Sequence, residues 1–229
     1  MQALSNLALS QLDILALLWS LLCWFSYTQY VNNSPKSLIH SMYLWRQRWS
    51  MAMLARDNRI MDSQVITGLN SVVTFFCSTS IFITAGLFAS MGAAEQIVLL
   101  INEMSFLQTT NTATVELKLG LLIIIFIYSF FKFGWAIKQH SYSAVVLASV
   151  PAAAKVDMER DAPTAKLMGK LSSLGAQHFN DGVRGYYFAL ATLSWFVHPL
   201  VYMAVISWVV IVLHRRDFRS KLLQHLSEV

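Results

Sequence analysis

Charged residues and cysteine are the scarce classes in this chain of 229 residues: 13% are charged and two are Cys, against 56% hydrophobic. Soluble domains carry about 25% charged residues, so the composition excludes an ordinary soluble domain, and the mean hydropathy of +0.52 agrees. Cys23 and Cys77 fall inside apolar runs, which excludes a disulfide framework and makes both small buried hydrophobes. Stretches of about ten residues that alternate apolar and polar are missing, which sets aside a membrane β-barrel. Also missing are HExxH, GxSxG, a glycine-rich phosphate loop and a facing pair of intramembrane aspartates. The chain therefore reads as non-catalytic, with no cofactor and no metal site. Basic residues are spread over several groups beside apolar runs, so nucleic-acid binding is not implied.

What the chain does have is long apolar runs. A hydrocarbon core about 30 Å thick takes about 20 apolar residues in a helix, and four stretches reach that length: 11–31, 65–92, 117–137 and 185–213. The expected fold is an all-α integral membrane protein, a single membrane domain over 1–229 with a bundle of about four transmembrane helices. Residues 1–10 contain no Lys or Arg, and no small-residue cleavage site follows Val31. The first run is therefore expected as a retained helix, not a secretory signal.

Loops held in the cytoplasm collect Lys and Arg. The connection 32–64 contains Lys36, Arg46, Arg48, Arg56 and Arg59, whereas 93–116 contains none. The connection 138–184 contains Lys138, Lys155, Arg160, Lys166, Lys170 and Arg184. This predicts a multi-pass protein of the bacterial inner membrane with its N-terminus outside and loops 32–64 and 138–184 in the cytoplasm. Arg215, Arg216, Arg219 and Lys221 then conflict with the rule, because four plain crossings place them outside.

The last run, 185–213, is interrupted by His198-Pro199 in the stretch SWFVHPLVYM. Two arrangements fit. A single helix kinks at Pro199, which lacks an amide N–H and whose ring clashes with the preceding turn; or His198-Pro199 is the tip of a helical hairpin that returns to the cytoplasm. The kinked helix is the expected form, because no Gly or Asn beside the pair marks a tight turn.

Between the first two runs, residues 38–61 read as an amphipathic interfacial helix. Leu38, Met42, Trp45, Trp49 and Met53 recur every three or four residues and form one apolar stripe, with Arg46, Arg48, Arg56 and Arg59 largely off it. Tryptophans at headgroup depth and arginines beside anionic lipid suit such a helix; docking on a partner is the alternative. A short helix is expected in AAEQIVLLINEMSFL, and the 138–184 connection is expected as a cytoplasmic loop with one short helix near 164–177.

Four of these stretches, WRQRWSMAMLARDNRIMD, FKFGWAIKQHSYSAVVLASVP, YYFALATLSWFVHP and VVIVLHRRDFRS, resemble in this order a family of bacterial inner-membrane proteins catalogued as domain of unknown function 599. The resemblance spans almost the whole chain. It implies a location and a helical fold, and carries no reaction, ligand or site residue.

Ionisable groups inside a bilayer are costly and mark candidate sites. His198, at the centre of its run, is expected either to cap the proline break or to act as a proton-sensitive gate, with Pro199 supplying the bend. His40, His140, His178, His214 and His225 fall near or beyond the interfaces. Thr67, Ser71, Thr74 and Ser78, with Asn70 alongside, share one helical face and read as close packing or as a polar path. Asp13 is expected at the interface or paired with Lys118. Lys132 reaches toward headgroups, and Trp45, Arg46, Arg48, Trp49, Arg56 and Lys132 are the lipid or partner contacts. The leading functional expectation is an oligomeric channel or transport component; the alternative is an accessory or assembly subunit of a larger membrane complex. Membrane lipids and either copies of the chain or a larger complex are the expected partners.

Overall fold

The computed structural model describes residues 10–104 and 110–227. All the regular elements among them are helical: α1 Gln11–Asn33, α2 Leu38–Ala52, α3 Ile60–Gly92, α4 Ala94–Glu103, α5 Thr112–Ser149, α6 Met158–Thr192, α7 Pro199–Phe218 and α8 Lys221–Ser227. Short 3₁₀ turns lie at Met53–Ala55, Ala153–Lys155 and Leu193–Phe196. Four helical stretches are long and apolar enough to cross a membrane: Gln11–Ala55, Ile60–Gly92, Thr112–Ser149 and Pro199–Leu226. The protein is an all-α membrane bundle.

Local capping sets where the helices begin. Ser10 and Asp13 form a reciprocal box: the Asp13 amide donates to Ser10 Oγ at 3.2 Å and the Ser10 amide to Asp13 Oδ2 at 3.0 Å. Ser37 Oγ accepts from the His40 amide at the start of α2, and Asn111 Oδ1 from the Thr114 amide at the start of α5. Asp157 Oδ1 accepts from the Glu159 amide at the start of α6.

The interfacial helix expected over 38–61 is α2, and it stops at Ala52; the chain then breaks at 56–59 and α3 begins at Ile60. The cause is Asp62 at the head of α3, which takes the Trp49 indole N–H at 2.7 Å and the Arg56 guanidinium. The short helix expected after α3 is α4; residues 105–107 of that stretch lie outside the described residues. The segment 138–184 is not a loop. Its first part completes α5 and most of the rest is α6, 35 residues long, so the helix expected near 164–177 is only the middle of a much longer one.

The described chain divides into two compact units. In the first, made of Met1–Tyr30, Thr79–Ser129 and Val183–Arg215, the core joins Ala94 and Ile101 of α4 to Val115, Leu119, Leu122 and Phe126 of α5 and Ala189 of α6. Within this unit Asp13 meets Trp195 and Trp24 stacks on Phe188, so α1 and the end of α6 run in opposite directions. Ser20 meets Tyr202 and Tyr30 meets His214, so α1 and α7 run in the same direction. The chain therefore reverses between α6 and α7. The run 185–213 is not one kinked helix: α6 ends at Thr192, a 3₁₀ turn follows, and α7 starts at Pro199 and returns. Proline at the first helical position loses no hydrogen bond there, because that amide has no partner in any helix.

In the second unit, made of Val31–Ser78, Phe130–Gly182 and Arg216–Val229, Met53, Leu54, Ile66, Leu147, Val150, Ala165 and Met168 form the core. Helices α5 and α6 run antiparallel in it, with Ser143 bonded to the Met168 carbonyl and Lys132 to Asp181. Arg59 closes α5 by donating to the carbonyls of Val150 and Pro151 at 2.6 Å each.

Candidate functional site

In the second unit α6 contributes Asp181 to a buried ion pair with α5. Lys132 Nζ of α5 donates to Asp181 Oδ2 at 2.8 Å, and Asn32 Nδ2 at the end of α1 donates to Asp181 Oδ1 at 3.3 Å. Asp181 is 4% exposed. Half-buried His178, one turn back along α6, interacts electrostatically with both members of the pair. His140 of α5 is buried, its ring lies against Gly175, and its Nδ1 has no hydrogen-bond partner. Neither His140 nor His178 is exposed.

Asn32 also lines a pocket of about 390 Å³. Helix α2 contributes Ile39, His40 and Tyr43 to it, and α6 contributes Lys170, Ser173, Leu174 and Gln177. One amide side chain thus separates an open pocket from a buried ion pair. A second pocket, of about 190 Å³, shares Ile39 and includes Arg46, Asn180 and the adjacent Arg216–Asp217 pair. Among the described residues no three His, Cys, Asp or Glu side chains converge as a metal ion would need.

Glycines let the helices approach closely enough to build this interior. A Cβ at Gly175 would meet the His140 ring at 2.7 Å, one at Gly182 the Phe133 ring at 2.5 Å, and one at Gly169 Ser50 Oγ at 2.8 Å. A Cβ at Gly185, in the first unit, would strike Ser129 Oγ. All four lie on α6. That glycine series, with the charges between its members, is the sequence signal that would have marked α6 as a packed helix.

The residues proposed from sequence are distributed differently. His198 is half-exposed, and its Nδ1 accepts from the Leu200 amide at 3.2 Å, so it caps the start of α7 and does not occupy the centre of a span. Pro199 is the first residue of α7. Thr67, Ser71, Thr74 and Ser78 are all exposed, and the hydroxyls of Thr67 and Ser71 bond back to their own helix. They line no path within the chain. Asn70 beside them is half-buried.

Among the expected lipid contacts, Trp49 and Arg56 are held by Asp62, and Lys132 is held by Asp181. Arg46 lines the smaller pocket and presents its carbonyl to Gly169. Trp45 and exposed Arg48 form a cation–π contact at 4.9 Å. Asp13 and Lys118 do come together, through a residue that the sequence did not single out. Trp195 gives its indole N–H to Asp13 at 2.8 Å and its carbonyl to Lys118 Nζ at 2.9 Å.

Neither a curated protein nor a solved structure matches the chain. A family described as "Protein of unknown function, DUF599" matches residues 15–222, and the chain belongs to that family.

Proposed function

We propose that this protein is a membrane transport component that passes an ion or small polar solute along the inward face of α6. The observation that carries the reading is the distribution of side chains on that helix. In its last turns, beyond the exposed Lys166 and Lys170, Asp181 and Arg184 are buried whereas Tyr187 and Leu190 are exposed. A helix in water shows the reverse. Charge inside and apolar surface outside is the arrangement expected of a polar pathway in lipid. Asn32, shared between the open pocket and the Lys132–Asp181 pair, extends that pathway toward one mouth.

The same reading makes α6 a fifth crossing. Thirty-five residues reach about 52 Å at 1.5 Å each, so the last turns suffice to cross while the first project beyond the bilayer. With the N-terminus outside a bacterial inner membrane, α2, the 150–157 connection and the tail after α7 lie in the cytoplasm. Arg215, Arg216, Arg219 and Lys221 then obey the inside rule. The exposed hydroxyl stripe of α3 becomes the face on which copies of the chain meet, since small residues let helices associate in lipid. An accessory subunit docking through α2 draws less support, because Trp49 and Arg56 are already engaged by Asp62.

Reconstituted vesicles test the proposal. Wild-type protein is expected to carry protons or chloride faster than protein-free vesicles, and Asp181→Asn to slow that flux severalfold. Flux of neither ion above the protein-free level, or equal flux in the variant, overturns it.

A further inference from the structure

The pocket beside Asn32 has a chemistry of its own. Its volume, about 390 Å³, falls among small-molecule sites, which span about 300–1,000 Å³. One part of the lining is apolar, from Ile39, Leu174 and the Tyr43 ring. The other is polar and carries no carboxylate: Lys170 and His40 are its basic groups and Gln177 brings an amide, while the Asn32 amide donates to Asp181 at 3.3 Å and the Ser173 hydroxyl to the Gly169 carbonyl at 2.8 Å. Lys170 is exposed. Among the described residues no acidic side chain forms a salt bridge with it. Asp181, the acid behind Asn32, already has one oxygen on Lys132 and the other on the Asn32 amide. The pocket therefore offers positive charge and the Gln177 amide to an anion, and no carboxylate to a cation.

A phosphate group matches this set. It brings negative charge and three strong acceptor oxygens when esterified, and a lysine ammonium binds it as a point charge. We propose that this pocket is a binding site for a phosphate group, held by Lys170 and His40 with the amide of Gln177, its apolar wall taking the organic part of a phosphate ester. The site stands whether or not the Lys132–Asp181 pair conducts.

Two sources of phosphate are distinguishable by calorimetric titration of the full-length protein in detergent, one arm with inorganic phosphate and the other with a short-chain phosphatidic acid. Saturable binding in at least one arm is expected. Binding of inorganic phosphate marks a soluble ligand, and binding of phosphatidic acid alone marks a lipid headgroup. Lys170→Gln is expected to weaken binding about tenfold, as loss of one charged hydrogen bond does. Lys166→Gln, an exposed neighbour outside the pocket, should leave it unchanged. No binding in either arm, wild-type affinity in Lys170→Gln, or equal weakening by both lysine variants overturns the proposal.

Discussion

The indole N–H of Trp195 donates to the carboxylate of Asp13 at 2.8 Å, although the two residues are 182 positions apart. The other Asp13 oxygen is taken by the amide and hydroxyl of Ser10, and Lys118 reaches the Trp195 carbonyl and lies 5.3 Å from the centre of its ring. The turn between α6 and α7 is thereby tied to the first turns of α1 and α5. Trp195→Phe keeps a ring to stack on Tyr202 but removes the donor and leaves a buried carboxylate oxygen unpaired. Thermal unfolding in detergent should register a loss of about 1–3 kcal/mol.

Lys132 and Asp181 make a different kind of contact, because both members carry charge where water is scarce. Lys132→Met leaves the Asp181 carboxylate buried without its cation, a change worth about 3–5 kcal/mol of destabilisation. Adding Asp181→Leu to that variant should recover most of the loss. A double variant no more stable than Lys132→Met alone would show that the pair is not what makes the single change costly.

Glycine positions give opposite expectations on two helices. Gly182→Ala pushes a methyl group to within 2.5 Å of Phe133, whereas a Cβ at Gly68 meets nothing within 4 Å. The first should destabilise by about 1–3 kcal/mol through overpacking, and the second should be neutral or stabilising by up to about 1 kcal/mol, as Ala exceeds Gly in helix propensity. Parallel thermal melts of the two variants measure the contrast.

At the start of α6, Asp161 is held down to about 2 by hydrogen bonds from the Arg160 side chain and then from the Asp157 amide. The folded value lies below the unfolded one, so its contribution is present above the usual carboxylate range and is lost as pH falls through about 2. Hydrogen-exchange protection at residues 158–162 should decline between pH 4 and 2. In Asp161→Asn it should already be low at pH 5 and change little on acidification.

Much of the bundle is legible in the sequence because α1, α3 and α5 are apolar nearly all round their central turns, and averaged hydropathy finds such helices. Helix α6 is hidden from the same reasoning. Over 158–184 its Asp181 and Arg184 are buried and Leu167 and Leu174 exposed, so averaging along the chain cancels the two faces and returns a polar loop. The reversal at 193–198 is hidden for a related reason: the turn contains no glycine, and the contacts that fix it come from Asp13 and Lys118, distant in sequence. Lys132 looks like a headgroup-seeking lysine until Asp181, 49 positions away, is seen beside it. The hydroxyl stripe of α3 is read correctly as one face; which way that face points depends on packing that no spacing reveals.

The proposed fifth crossing rests on that reversal, and one labelling experiment tests it most directly. In a background with Cys23 and Cys77 replaced by Ala, single cysteines at the exposed positions Asp57, Ala113 and Gln224 are offered a membrane-impermeant maleimide from outside intact bacterial cells. The expected result is labelling of Ala113→Cys alone, with Asp57→Cys and Gln224→Cys reacting only after the membrane is opened. Labelling of Gln224→Cys in intact cells, together with Ala113→Cys, would place the tail after α7 on the same side as the start of α5 and contradict the fifth crossing.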